Sequence, residues 1–146
     1  MLRGNFPARI DEKGRLKIPA QFQQELEQTY GKQFYITSLD GHYARIYPLE
    51  EWQKVEEKLQ GAASFNKTRR KFLNRTNYYG QLVEMDGQGR VLIPPVLREA
   101  AEARGEVAVL GSLTFLEVWN GERFRKELQD NPLTAEDEQV MDQLGI

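Results

Sequence analysis

Cysteine is absent from the 146 residues, which excludes disulfides, thiolate zinc sites and cysteine nucleophiles. Histidine occurs once, as His42 in the turn-like Asp40-Gly41-His42. With no ligand or base partner nearby in the sequence it reads as a solvated loop residue, so neither a metal nor a cofactor is expected. No stretch approaches the roughly 20 apolar residues of a membrane span, and the N-terminus lacks the apolar segment of a secretion signal. The expectation is a cytoplasmic protein with no membrane. Asp11 and Asp86 could be paired as acid–base carboxylates, but turn contexts already explain both. No enzyme is expected.

A strong positive charge is also lacking, the formal net charge being −2. The distribution is uneven. Residues 1–24 carry Arg3, Arg9, Lys13, Arg15 and Lys17 against Asp11 and Glu12, and residues 61–80 carry five bases and no acid. From Glu99 onward there are eleven acids and four bases. Such a chain is basic only where it would meet a phosphate, which confines non-specific binding to one surface.

What is present is a repeat. Asp11-Glu-Lys-Gly-Arg-Leu-Lys-Ile-Pro19 returns 75 residues later as Asp86-Gly-Gln-Gly-Arg-Val-Leu-Ile-Pro94, with five of nine positions identical. Asp11 and Asp86 are turn initiators whose carboxylates can accept backbone N–H groups two residues on, and Gly14 and Gly89 can take the positive φ of a tight reversal. Arg15 and Arg90 then open the returning strand. Leu16-Lys-Ile18 alternates as a half-buried strand should, while Val91-Leu-Ile93 is continuously apolar and predicts burial on both faces. Pro19 and Pro94 end the strands and suit the first turn of a helix.

The Asp-x-x-Gly-Arg unit has two readings. In one, an Asp–Arg pair merely clasps a hairpin turn. In the other, the same Asp holds the guanidinium outward as a bidentate donor matched to a phosphate or to the O6/N7 edge of guanine. They are compatible, because a clasped Arg loses less rotamer entropy on binding. The first copy places Lys13 and Lys17 beside its Arg, the second Gln88 and Leu92, so the first is the more electrostatic. Arg98, one turn into the next helix, either supplies a charge to the second copy or pairs with Glu102 at i+4.

These residues resemble the MraZ family, bacterial regulators built from two SpoVT/AbrB-type halves. The resemblance runs from Met1-Leu-Arg-Gly4 through both Asp-x-x-x-Arg segments to Val118-Trp119 and the acidic tail. It implies an α+β fold: a pseudo-symmetric tandem SpoVT/AbrB-like β-barrel of the double-psi or swapped-hairpin type, with attached helices, in which the halves of one chain pair with each other. It implies a transcriptional repressor of short G-rich direct repeats ahead of the cell division and cell wall gene cluster. Double-stranded DNA would be bound through Arg15 and Arg90, with Arg3, Arg9, Lys13 and Lys17 positioning the duplex. It also implies nucleoid association and a homo-oligomeric ring of more than four subunits. The alternative is an AbrB-like antitoxin or an oligomeric scaffold with no specific DNA target.

Along the chain, a first half is expected over residues 5–50, a helical connection over 51–78, a second half over 79–124 and a helical tail over 125–146. Phe22, Leu26 and Tyr30 mark a helix stopped by Gly31. Strands follow at Gln33–Leu39 and Tyr43–Tyr47, and Pro48 opens a helix carrying Trp52, Val55 and Leu59. Tyr47 with Trp52, and Trp119 with Phe124, have the five-residue spacing of staples across a helix start. Ser64 is expected to cap a helix over Phe65–Arg75 with Arg69, Arg70 and Lys71 on its basic face. A strand over Tyr78–Met85, a helix from Pro94/Pro95 to Arg104, strands at Glu106–Leu110 and Thr114–Val118, a helix capped by Asn120 and a short acidic helix capped by Thr134 complete the expectation.

Overall fold

The computed structural model describes residues 1–63 and 66–146. The first half contributes β1 (Asn5–Ile10), β2 (Arg15–Lys17), α1 (Ala20–Thr29), β3 (Gln33–Thr37), β4 (Ala44–Pro48) and α2 (Leu49–Gln60). After α3 (Lys67–Tyr78), the second half contributes β5 (Gln81–Glu84), β6 (Arg90–Leu92), α4 (Pro95–Ala100), β7 (Gly105–Gly111), β8 (Leu116–Asn120) and α5 (Gly121–Asp130). A last helix, α6, spans Ala135–Gln143.

The eight strands form one antiparallel sheet in the order β5-β3-β4-β8-β7-β1-β2-β6. Its end strands, β5 and β6, are the two arms of the Asp86–Arg90 reversal, where the Asp86 N–H donates to the Arg90 carbonyl at 2.9 Å. The order therefore comes back on itself as a nearly closed barrel, which leaves little free strand edge. Four pairings join the halves: β1 with β7, β2 with β6, β3 with β5 and β4 with β8. Each first-half strand meets a second-half strand, so the two repeats interleave in one body as the resemblance implied.

The core draws on both repeats equally. Leu16 and Ile18 of one copy and Val91 and Ile93 of the other are all buried, with Phe22, Leu26, Phe34, Ile36, Ile46, Met85, Leu97, Val109, Leu116 and Val118. A half of about 70 residues buries a fraction of its surface that leaves it marginal alone, and interleaving joins the two halves in a single core. The staples form as their spacing predicts: the Tyr47 and Trp52 rings are 5.0 Å apart and those of Trp119 and Phe124 are 5.2 Å apart.

Several local expectations are corrected. The expected cap Ser64 and stripe residue Phe65 lie outside the described residues; the described helix begins after Asn66, whose side chain accepts the N–H groups of Thr68 and Arg69. It then runs on to Tyr78, which was expected in a strand. The Thr76 carbonyl near the end of α3 accepts Tyr35 Oη at 2.9 Å and Thr37 Oγ1 at 2.7 Å. Satisfying that carbonyl from β3 ties the helix end to the barrel and overrides the β preference of Tyr78-Tyr79.

The helix expected to reach Arg104 stops at Ala100, because Glu102 takes φ 49° and turns the chain into β7. The last strand starts at Leu116 rather than Thr114, since Leu113 at φ 69° pairs back with Leu2. Leu92 is not buried on both faces: it is 42% exposed between the buried Val91 and Ile93. Strand alternation prevails there over an apolar run.

Candidate nucleic-acid interface

The two reversals have the same internal geometry. In the first, Asp11 Oδ1 accepts the backbone N–H groups of Lys13 and Arg15, each at 2.9 Å, and Asp11 Oδ2 accepts Arg15 Nε at 2.9 Å. In the second, Asp86 Oδ1 accepts Gln88 and Arg90 N–H and Asp86 Oδ2 accepts Arg90 Nε, again all at 2.9 Å. Gly14 and Gly89 close the turns at φ 85° and 76°, and their N–H groups donate to the Asp11 and Asp86 carbonyls. Only glycine adopts that backbone without strain.

These bonds also set the electrostatics. The backbone N–H of Arg15, joined by its side chain and the Lys13 N–H, holds the Asp11 carboxyl below the usual aspartate range. The backbone N–H groups of Arg90 and Gln88, with the Arg90 side chain, do the same for Asp86. Both groups are therefore carboxylates at neutral pH, which suits an anchor and not a proton donor. Each clasp engages only Nε of its arginine. Among the described residues the terminal guanidinium nitrogens of Arg15 and Arg90 have no hydrogen-bond partner, and neither arginine contributes a buried unpaired atom.

The β2–β6 ladder brings the copies side by side, with Arg15 opposite Leu92, Leu16 opposite Val91 and Lys17 opposite Arg90. Leu16 and Val91 point into the core. Arg15, Lys17, Arg90 and Leu92 consequently share the outer face of one two-stranded ribbon, and the diagonal from Arg15 to Arg90 is about 7–8 Å. Lys17 Nζ also donates to the Gln88 carbonyl across the ladder.

The remaining candidates divide. Lys13 is exposed at the tip of the first turn. Arg9 flanks it on β1, where its guanidinium lies 3.8 Å from Glu106, itself almost wholly exposed. Arg3 is not brought to the turns. It lies at the other end of β1, beside Gly111 and the Leu2–Leu113 bridge. The basic helix α3 is attached to β3 through Thr76, and Arg69 Nε caps α2 by donating to the Leu59 carbonyl at 2.8 Å.

Two contacts were missed. Arg98 serves neither the second copy nor Glu102, which instead lies 3.7 Å from Arg123. It covers the first turn so closely that a Cβ on Gly14 would collide with Arg98 Nη1. Gln23 covers Gly89 in the same way, and a Cβ there would collide with its side-chain amide. Gln23 and Arg98 occupy the same place in the repeat, four residues after Pro19 and Pro94. That equivalence was visible in the sequence, but its exchange between halves was not.

The comparisons agree with this architecture. The family model described as "MraZ protein, putative antitoxin-like" matches residues 1–75 and 80–144, one segment for each half. A protein of Acidobacterium capsulatum named transcriptional regulator MraZ is 55% identical over 146 residues, covering both chains completely. One of the same name from Koribacter versatilis is 57% identical over 147 residues, again with full coverage of both, and one from Caldicellulosiruptor saccharolyticus is 38% identical over 148. With both halves matched in order and the relatives aligned end to end, the chain belongs to the MraZ family.

Proposed function

We propose that this protein is a sequence-specific DNA-binding transcriptional regulator that reads duplex DNA with the β2–β6 ribbon. The observation that carries this is the pair of aspartate-clasped arginines on one exposed face, each with its terminal nitrogens unengaged. Fixing Nε removes rotamer freedom, so the remaining fork is preorganised for guanine O6/N7. Lys13 and Lys17 supply phosphate attraction, and Arg9 flanks the site. The relatives named as transcriptional regulators support the same reading. Repression of G-rich direct repeats ahead of a cell division and cell wall gene cluster is the specific form proposed, with binding to the chromosome placing the protein at the nucleoid.

One ribbon spans few base pairs, whereas specific affinity needs many phosphate contacts, so a homo-oligomeric ring of more than four subunits reading successive repeats completes the proposal. Selection from a randomised duplex pool, followed by anisotropy titration of the selected and random duplexes at about 50 and 200 mM salt, tests it. Preferential, salt-sensitive binding of a selected sequence is expected. Equal affinity for both pools would refute specific recognition.

The second reading is a protein-binding, antitoxin-like role. It is favoured by α6, whose Leu133 approach and Val140 and Leu144 are exposed with no cover from this chain. Capture of a protein partner together with failure of DNA selection would favour it.

A further inference from the structure

The two recognition turns are each built from both halves. The Ile18 N–H of the first half donates to the Gly89 carbonyl in the second turn, and the Ile93 N–H of the second half donates to the Gly14 carbonyl in the first, both at 3.0 Å. Beyond each of those strands, one helix residue returns to the same glycine: Gln23 of α1 lies over Gly89 and Arg98 of α4 over Gly14. The contact is close enough that a methyl group on either glycine would displace the covering side chain. Gln23 is further fixed by its amide donating to the Ile18 carbonyl.

The covers differ in chemistry. Gln23 is neutral and has an acceptor, whereas Arg98 Nη1 is shielded from solvent and has no acceptor among the described residues. A shielded, unpartnered guanidinium N–H is unfavourable where a smaller neutral side chain would fill the same space. The first turn is also the one that carries Lys13, Arg15 and Lys17.

We infer that Arg98 and Gln23 are positioning residues acting across the halves, Arg98 holding the Asp11–Arg15 turn and Gln23 the Asp86–Arg90 turn in the geometry that presents Arg15 and Arg90. Neither residue is assigned a contact with DNA; each acts through the turn it covers. The inference rests on the DNA-binding reading for its consequence but not for its geometry. It makes a crossed assignment: a residue of one half controls the turn of the other, 83 positions away in sequence for Arg98 and Arg15.

Hydrogen exchange followed by mass spectrometry on the full chain tests the crossing directly. Arg98→Ala is expected to speed exchange in the peptide covering residues 11–16 while leaving 86–91 at the parent rate, and Gln23→Ala to do the reverse. Arg98→Gln, which places the second cover's side chain on the first turn, is expected to restore protection over 11–16. Loosening of 86–91 by Arg98→Ala, or no change in either peptide, would overturn the inference. In a duplex selected by the parent protein, Arg98→Ala is expected to lower the specific-to-random affinity ratio roughly tenfold with the salt slope unchanged. A slope smaller by about one would make Arg98 a phosphate contact instead and refute its positioning role. If the parent protein shows no sequence preference, the DNA reading fails, yet the exchange pattern still decides the crossing.

Discussion

Lys17 stands directly across the β2–β6 ladder from Arg90, and its ammonium donates to the Gln88 carbonyl in the opposing turn. A strand end of the first repeat therefore supports the loop of the second. Because the same ladder sets Leu92 opposite Arg15, the two arginines share one outer face whose charge is graded from the first copy to the second.

Arg15→Ala is expected to abolish discrimination between selected and random duplexes while leaving thermal melting nearly unchanged. A bidentate base contact is worth about 1–3 kcal/mol, whereas an exposed ion pair such as Arg15–Asp11 adds little to stability. Arg15→Lys recovers charge but not the fork, so it should restore general affinity better than specificity. Lys13→Ala, at an exposed tip, should weaken selected and random duplexes alike and reduce the salt slope by about one. If Arg15→Ala kept full discrimination in anisotropy titrations, Arg15 would be only a turn clasp.

The aspartates make a pH prediction with a definite sign. The carboxyls of Asp11 and Asp86 are held below the usual aspartate range when folded, so deprotonation favours the native turn. Their stabilising contribution is fully present above the unfolded aspartate value and lost as pH falls through the lower folded value. Between about pH 5 and pH 8 neither clasp should titrate. Carboxyl carbon shifts of these two residues should stay flat across that window; a midpoint inside it would mean that the clasps are weaker than their geometry implies.

Gly14 and Gly87 give a matched comparison of two turn glycines. Gly14 has φ 85° and lies under Arg98, so Gly14→Ala is both strained and crowded and should cost about 1 kcal/mol or more. Gly87 lacks a positive φ and has open space where a methyl group would stand, and its counterpart in the first copy is Glu12. Gly87→Ala should lie within about 0.5 kcal/mol of the parent in chemical denaturation. Equal effects from the two substitutions would contradict the close approach of Arg98.

How much of this was legible beforehand follows from the range of each interaction. The turns were readable because Asp, Gly and Arg act there over at most four residues, and the helix starts at Pro48 and Asn120 because aromatic staples are local. The end of α3 was not, since Tyr78 is helical only through anchoring of Thr76 by Tyr35 and Thr37, some forty residues upstream. Leu92 was misread because an apolar run does not tell a doubly buried strand from a ribbon with one open face. Both sequence readings of Arg98, a charge for the second copy or a pair with Glu102, stay within its own half, whereas the crossing of β2 with β6 delivers it to Gly14. Arg3 looked like part of a basic cluster, and the extended run of β1 carries it to the far end.

The final prediction concerns α6 and the proposed ring. No residue of α6 is buried in this chain, although Val140 and Leu144 are apolar and Thr134 with Asp137 closes a full capping box at its start. A helix that is well capped yet fully buries no residue, Met141 alone being half-buried, is poorly explained as a stabiliser of its own subunit, since most helical stability comes from packing an apolar face. Ending the chain at Asn131 should therefore leave the melting temperature of the remaining fold almost unchanged. Light scattering coupled to size exclusion should show a smaller assembly, and affinity for a tandem array of selected sites should fall while affinity for one isolated site persists. A truncated chain that kept both its parent mass and its preference for the array would remove α6 from the assembly contacts, and a parent protein that bound one site as tightly as an array would remove multivalency from the mechanism.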